Sequence, residues 1–151
     1  MKGYITINVD ASFHPQHKVA GYAFWIVCDT FKLRTAASFN KDPETARDAE
    51  IMAIANAVAT LYRRKDLPVC HTLIINNDCK FAHTEIKANK TRLAIECQRH
   101  ISKLVHLLQC KWEFRYVKAH NGHPDARSFV NDWCDQAAKT EMRKKLKTQI
   151  E

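Results

Sequence analysis

Four acidic residues stand where their surroundings could put carboxylates to work: Asp10, Glu50, Asp78 and Asp135. Asp10 closes the run Tyr4-Ile5-Thr6-Ile7-Asn8-Val9-Asp10, in which Ile5, Ile7 and Val9 make one apolar strand face. Asp78 follows a short apolar strand pattern and the pair Asn76-Asn77. Glu50 lies one turn before Ile54 on a helical pattern, and Asp135 directly follows Cys134 on another. Carboxylates held near a core are costly, and acids that converge without basic partners repel one another. A hard divalent cation, Mg²⁺ or Mn²⁺, answers both problems, because it takes oxygen ligands and leaves room for water and phosphate. Two such ions ~4 Å apart clamp the attacking and leaving oxygens of an in-line phosphoryl displacement. Taken singly, each acid has a plainer role. Asp78 fits a helix N-cap, Glu50 a solvated helix face, Asp10 a turn and Asp135 a surface position, with Asp132 and Asp125 as rivals to Asp135.

Composition narrows the partners. The chain has 151 residues, a net charge of +8, and 46% hydrophobic against 26% charged residues. That is enough for one domain with a sizeable core, so residues 1–151 are expected to form a single domain. The basic balance favours a polyanion, either nucleic acid or an anionic membrane surface. No helical stretch pairs a one-sided Lys/Arg face with a Trp/Leu face, and no apolar run reaches the ~20 residues of a membrane span, which disfavours the membrane. The six cysteines are scattered without a CxxC motif, and no signal-peptide pattern precedes the first strand, so reduced thiols and a cytoplasmic location are expected. Only three glycines occur, none in a phosphate-cradling loop, which argues against a nucleotide cofactor.

The elements that must position the acids can be read in order. Strands are expected over residues 4–13, 19–28 and 31–39, joined by short turns into an antiparallel meander. Asp42-Pro43-Glu44 has the pattern of a helix start with Asp42 as N-cap, followed by the stripe Ile51, Ile54, Ala55, Val58, Tyr62. Residues 72–75 form a fourth strand, and a helix starts near Asn76-Asn77-Asp78. A further helix over residues 92–108 carries Leu93, Ile95, Leu104, Val105 and Leu108. Residues 112–117 make a last strand, His120 to Asp125 a polar loop, and a final helix carries Val130, Trp133, Cys134, Ala137, Ala138 and Met142. Together these give an α/β protein with a mixed sheet covered by helices.

As words, five stretches resemble ribonuclease H of type 1. They are Ile7-Asn8-Val9-Asp10-Ala11-Ser12, Asp48-Ala49-Glu50-Ile51-Met52-Ala53, Ile75-Asn76-Asn77-Asp78-Cys79, Val117-Lys118-Ala119-His120 and Asn131-Asp132-Trp133-Cys134-Asp135-Gln136-Ala137-Ala138. Their order and settings match that family from end to end. The resemblance implies a ribonuclease H-like mixed five-stranded sheet, three antiparallel strands and then parallel ones, flanked by helices. It implies cleavage of the RNA strand of RNA–DNA hybrids, leaving 5′-phosphate and 3′-hydroxyl ends. It also implies two Mg²⁺ ions, with Mn²⁺ as a substitute, on Asp10, Glu50, Asp78 and Asp135. Asn131, one helical turn before Asp135, selects that acid over Asp132. His120 matches the family's loop histidine, suited to moving a proton near neutrality. Ser12, Thr45 and Asn131 are expected substrate contacts, and the protein is expected to act as a monomer.

Two departures stand out. Ala11 occupies a position that is usually glycine in the family, and no Trp/Lys-rich basic insertion lies between Asp78 and the last strand. The competing readings are a structure- or DNA-directed nuclease of the same fold, and a hybrid-binding module without catalysis. The second sits poorly with acids at all four positions, since a pure binder gains nothing from anions set against phosphate.

Overall fold

The computed structural model describes residues 3–116 and 126–150. Three strands, β1 (Tyr4–His14), β2 (Val19–Val27) and β3 (Lys32–Ser38), come first, followed by helix α1 (Ala46–Tyr62). Then β4 (Thr72–Asn77), α2 (Lys80–Ala88), α3 (Arg92–Leu108), β5 (Lys111–Tyr116) and α4 (Ala126–Ile150) complete the chain. The sheet order is β3-β2-β1-β4-β5. β1–β2 and β2–β3 are antiparallel, while β1–β4 and β4–β5 are parallel. This is the mixed five-stranded sheet expected from the sequence.

Strand alternation divides the molecule into two layers on that sheet. Ile5, Ile7 and Val9 of β1 pack with Leu73 and Ile75 of β4 against Ile51, Ile54 and Val58 of α1, with Ile86 of α2 and Ile101 of α3 behind them. The opposite face carries Ala23 of β2 against Cys134 and Ala138 of α4. Gly21 sets how closely α4 can lie. A Cβ there would collide with the backbone at Ala138 O and Met142 N. The far end of α4 is tied down by Lys145, whose Nζ donates to Phe39 O and Asp42 Oδ1, each at 2.6 Å.

That last contact explains one difference from the sequence reading. Asp42 is taken by α4, and Thr45 caps α1 instead, its Oγ1 accepting from Asp48 N at 3.0 Å. Helix α2 starts close to the expected place, with Cys79 at the N-cap position and Cys79 N donating to Asn77 Oδ1 at 2.9 Å; Asp78 is not its N-cap. Tyr62 and Ile95 face solvent at 43% and 39% exposure, and their helices bury Leu61 and Ala94 instead. At those points the buried stripe lies one residue earlier than the apolar pattern suggests. Val117 and the expected loop from His120 to Asp125 lie outside the described residues.

Candidate active site

β1 keeps pairing with β2 as far as His14↔Val19, but its pairing with β4 stops at Asn8↔Asn76. Asp10 is therefore in mid-strand, not at a strand end; what runs out beside it is β4. The gap opens past the C-terminal end of a parallel strand where the connection order switches, the place where α/β sheets collect ligands. β4 ends at Asn77, so Asp78 enters the gap next, and α1 brings in Glu50 from the layer beneath. One carboxylate oxygen from each of Asp10, Glu50 and Asp78 lies within 4.8 Å of the others.

Two neutral groups hold Glu50 in this position. Ala11 N donates to Glu50 Oε1 at 2.8 Å and to Asp10 Oδ1 at 2.9 Å. Asn77 Nδ2 donates to Glu50 Oε2 at 2.7 Å and to Val9 O at 3.0 Å. Ala11 is not among the residues with positive φ, so its backbone makes no demand for glycine, and the residue lines the groove together with Glu50 and Asp78.

Charge is the dominant feature. Burial, then the charges of Glu50, Asp78 and Asp135, push the Asp10 carboxyl up to about 10. Burial, then Asp78, push Glu50 up to about 7, against the downward pull of the Asn77 and Ala11 hydrogen bonds. Burial and repulsion within the acid cluster raise both carboxyls, so without a cation the pair favours keeping a proton. An oxygen-only donor set, two of its acids more than nine-tenths buried, fits a hard divalent cation.

Asp135 lies on α4 beside Asp10, close enough to raise it, and also pairs with Lys139 Nζ at 3.0 Å. Asn131 is half-buried one turn earlier on α4, and Ser12 is half-buried on β1 opposite Gly21. Thr45 is exposed and uses its hydroxyl as the α1 cap. His120 lies outside the described residues.

Sequence reading missed the groove that leads into the cluster. A cavity of about 760 Å³ runs from Glu50 and Asp78 past Arg47, Lys80, Phe81 and Tyr116. Phe81 is 73% exposed, and Lys80 Nζ sits 4.4 Å from the centre of the Tyr116 ring. The signal was present in the alternating aromatics Trp112, Phe114 and Tyr116 of β5, the last of which extends beyond the covered core. Asn77 was also missed, because its contacts with Val9 and Glu50 are distant in sequence.

Acids gathered at the end of β4, in a β3-β2-β1-β4-β5 mixed sheet with helices on both faces, define the ribonuclease H fold class. The RNase H family model matches residues 2–143, and the chain belongs to the RNase H family. Among solved structures it resembles the N-terminal RNase H domain of Rv2228c from Mycobacterium tuberculosis. That match has a TM-score of 0.70 at 13% identity, covering 98% of this chain and 99% of the other. RNase H1 from the halophilic archaeon Halobacterium salinarum matches at TM-score 0.60 and 13% identity, over 94% of this chain and 99% of the other. LC11-RNase H1, in a complex with an RNA/DNA hybrid, matches at TM-score 0.70 and 16% identity, over 94% and 99%. At these identities the likeness speaks for the fold. No curated protein matches the sequence.

Proposed function

We propose that the protein is an endoribonuclease that hydrolyses the RNA strand of RNA–DNA hybrids, leaving 5′-phosphate and 3′-hydroxyl ends. The observation that carries this reading is the triad Asp10, Glu50 and Asp78 at the mouth of a groove lined by cations and aromatics. Family membership supports ribonuclease chemistry at that triad. The three acids would hold one Mg²⁺, and Asp135 beside them supports a second, with Mn²⁺ as a substitute. A divalent cation there supplies Lewis acidity and charge compensation for the scissile phosphate.

The chain's own residues do the positioning. Ala11 N–H and Asn77 hold the Glu50 carboxylate, so its remaining lone pairs face the cluster. Arg47 and Lys80 draw the polyanionic backbone along the groove, although Arg47 also pairs with Glu85 at 3.5 Å. Phe81 and Tyr116 offer faces on which sugars or bases can pack. Ser12 and Asn131 flank the acids as substrate contacts, where the RNA 2′-hydroxyls distinguish RNA from DNA. Thr45 contributes through its place at the groove wall rather than through a free hydroxyl. His120 carries the proton-transfer role by resemblance alone. A single domain acting as a monomer completes the reading.

The test is hydrolysis of a hybrid labelled in its RNA strand, with the product ends analysed. Cutting that needs Mg²⁺ and leaves 5′-phosphates supports the reading. Binding without cutting assigns the fold to a hybrid-binding module.

A further inference from the structure

We propose that Asn77 is a positioning residue that sets how Glu50 presents its carboxylate to a divalent cation. The inference rests on the metal-dependent reading above and carries the hold of Asn77 on Glu50 through to metal affinity.

Asn77 is only 2% exposed, and its side chain serves three partners from different parts of the chain. Nδ2 donates to Glu50 Oε2 on α1 at 2.7 Å and to Val9 O on β1 at 3.0 Å. Oδ1 accepts from Cys79 N, the N-cap of α2, at 2.9 Å. The amide thus uses both of its donors and an acceptor, and no rotation of the group could serve the same three partners.

Its place in the sheet explains why this matters. The last β1–β4 ladder pair is Asn8↔Asn76, so backbone pairing has ended where Asn77 reaches Val9. Asn77 replaces the missing ladder bond with a side chain and so fixes the width of the gap between Asp10 and Asp78. The same amide fixes Glu50. With Oε1 on Ala11 N and Oε2 on Asn77, each oxygen has one lone pair committed to a neutral donor. Glu50 is thereby oriented by two neutral donors. Partners outside the ligand shell that hold a ligating carboxylate by hydrogen bonds commonly change metal affinity by about 10–100-fold when removed.

The test compares Asn77→Ala, which removes all three bonds, with Asn77→Ser, whose hydroxyl can serve one donor and one acceptor role. Mn²⁺ and Mg²⁺ binding to the free protein is followed by calorimetry and by the rise in Tm on adding metal; hybrid cleavage is measured separately. Asn77→Ala is expected to weaken metal binding at least about tenfold, while KM for hybrid at saturating metal stays within about twofold. Asn77→Ser is expected to fall between Asn77→Ala and the wild type. A lower Tm without metal, together with an unchanged metal midpoint in both variants, would make Asn77 a purely structural residue and overturn the proposal. If Asn77→Ala does not fold, Asn77→Ser decides on the same criterion. Should the wild type itself bind no divalent metal, the metal-dependent reading fails first, and that result is distinct from loss in the variants alone.

Discussion

Asp10→Asn separates a carboxylate that stabilises the fold from one that the fold tolerates for the sake of a bound cation. In the metal-free protein Asp10 is held protonated, its carboxyl pushed from 3.8 to about 10 by burial and by its acidic neighbours. Keeping that proton at pH 7, when the unfolded chain would release it, costs about 4 kcal/mol at ~1.4 kcal/mol per pH unit. Asparagine carries no such cost. Setting aside about 1–2 kcal/mol for imperfect placement of the amide, the variant should gain roughly 2–3 kcal/mol in EDTA. For a chain of this size that is about 5–10 °C in Tm. The sign with pH follows from a raised folded value. The wild type is least penalised below 3.8 and loses stability as pH rises toward 10, so the variant's advantage should widen from pH 5 to pH 8. Adding Mg²⁺ or Mn²⁺ should raise the wild-type Tm and leave Asp10→Asn almost unmoved. Calorimetric melts at three pH values, with EDTA and with excess metal, measure all of this. A variant less stable than the wild type in EDTA would refute the charge argument, and a retained metal shift would refute Asp10 as a ligand.

Gly21→Ala forces a methyl into the backbone of α4 and should destabilise the protein by about 1–3 kcal/mol in urea melts, since a packed helix must move. His83 is buried, stacked 4.4 Å from the Phe114 ring, and held down at about 4 by burial and then by Lys87. Its neutral form is favoured, so its contribution is present above 6.5 and is lost as pH falls toward 4, by up to about 1 kcal/mol per pH unit. His83→Phe should therefore become progressively more stable than the wild type as melts are taken from pH 7 to pH 4.5. Phe81→Ala and Tyr116→Ala should each weaken hybrid binding by about 1 kcal/mol or more in metal-free anisotropy titrations. Phe81 is largely exposed, so that substitution should leave Tm unchanged.

The parts of the fold that were readable in the sequence are those governed by local periodicity. Ile5, Ile7 and Val9 alternate because one face of β1 is buried, and that pattern gave the strand but ended it at Asp10, whereas β1 runs on to His14 in the middle of the sheet. The capping of α1 was misread because Asp42-Pro43 satisfies the local rule, while the winning contact comes from Lys145, far along the chain. Tyr62 and Ile95 are apolar enough to suggest a core face, but neighbouring Leu61 and Ala94 are the residues that are buried. Asp10, Glu50 and Asp78 could be nominated as separate words. Their meeting within 4.8 Å depends on where β4 stops, which no short motif encodes. Asn77 stood out only as part of a motif word and a helix start, since an asparagine at a strand end reads as a turn residue until its distant partners are known.

The most direct test is cleavage of four matched end-labelled duplexes: RNA–DNA, DNA–DNA, RNA–RNA, and DNA carrying one ribonucleotide. Each is incubated with wild-type protein in Mg²⁺, in Mn²⁺ and in EDTA. The account predicts metal-dependent cutting confined to the RNA strand of the RNA–DNA hybrid, absent in Asp10→Asn. Cutting of DNA, or cutting that survives EDTA, would contradict it.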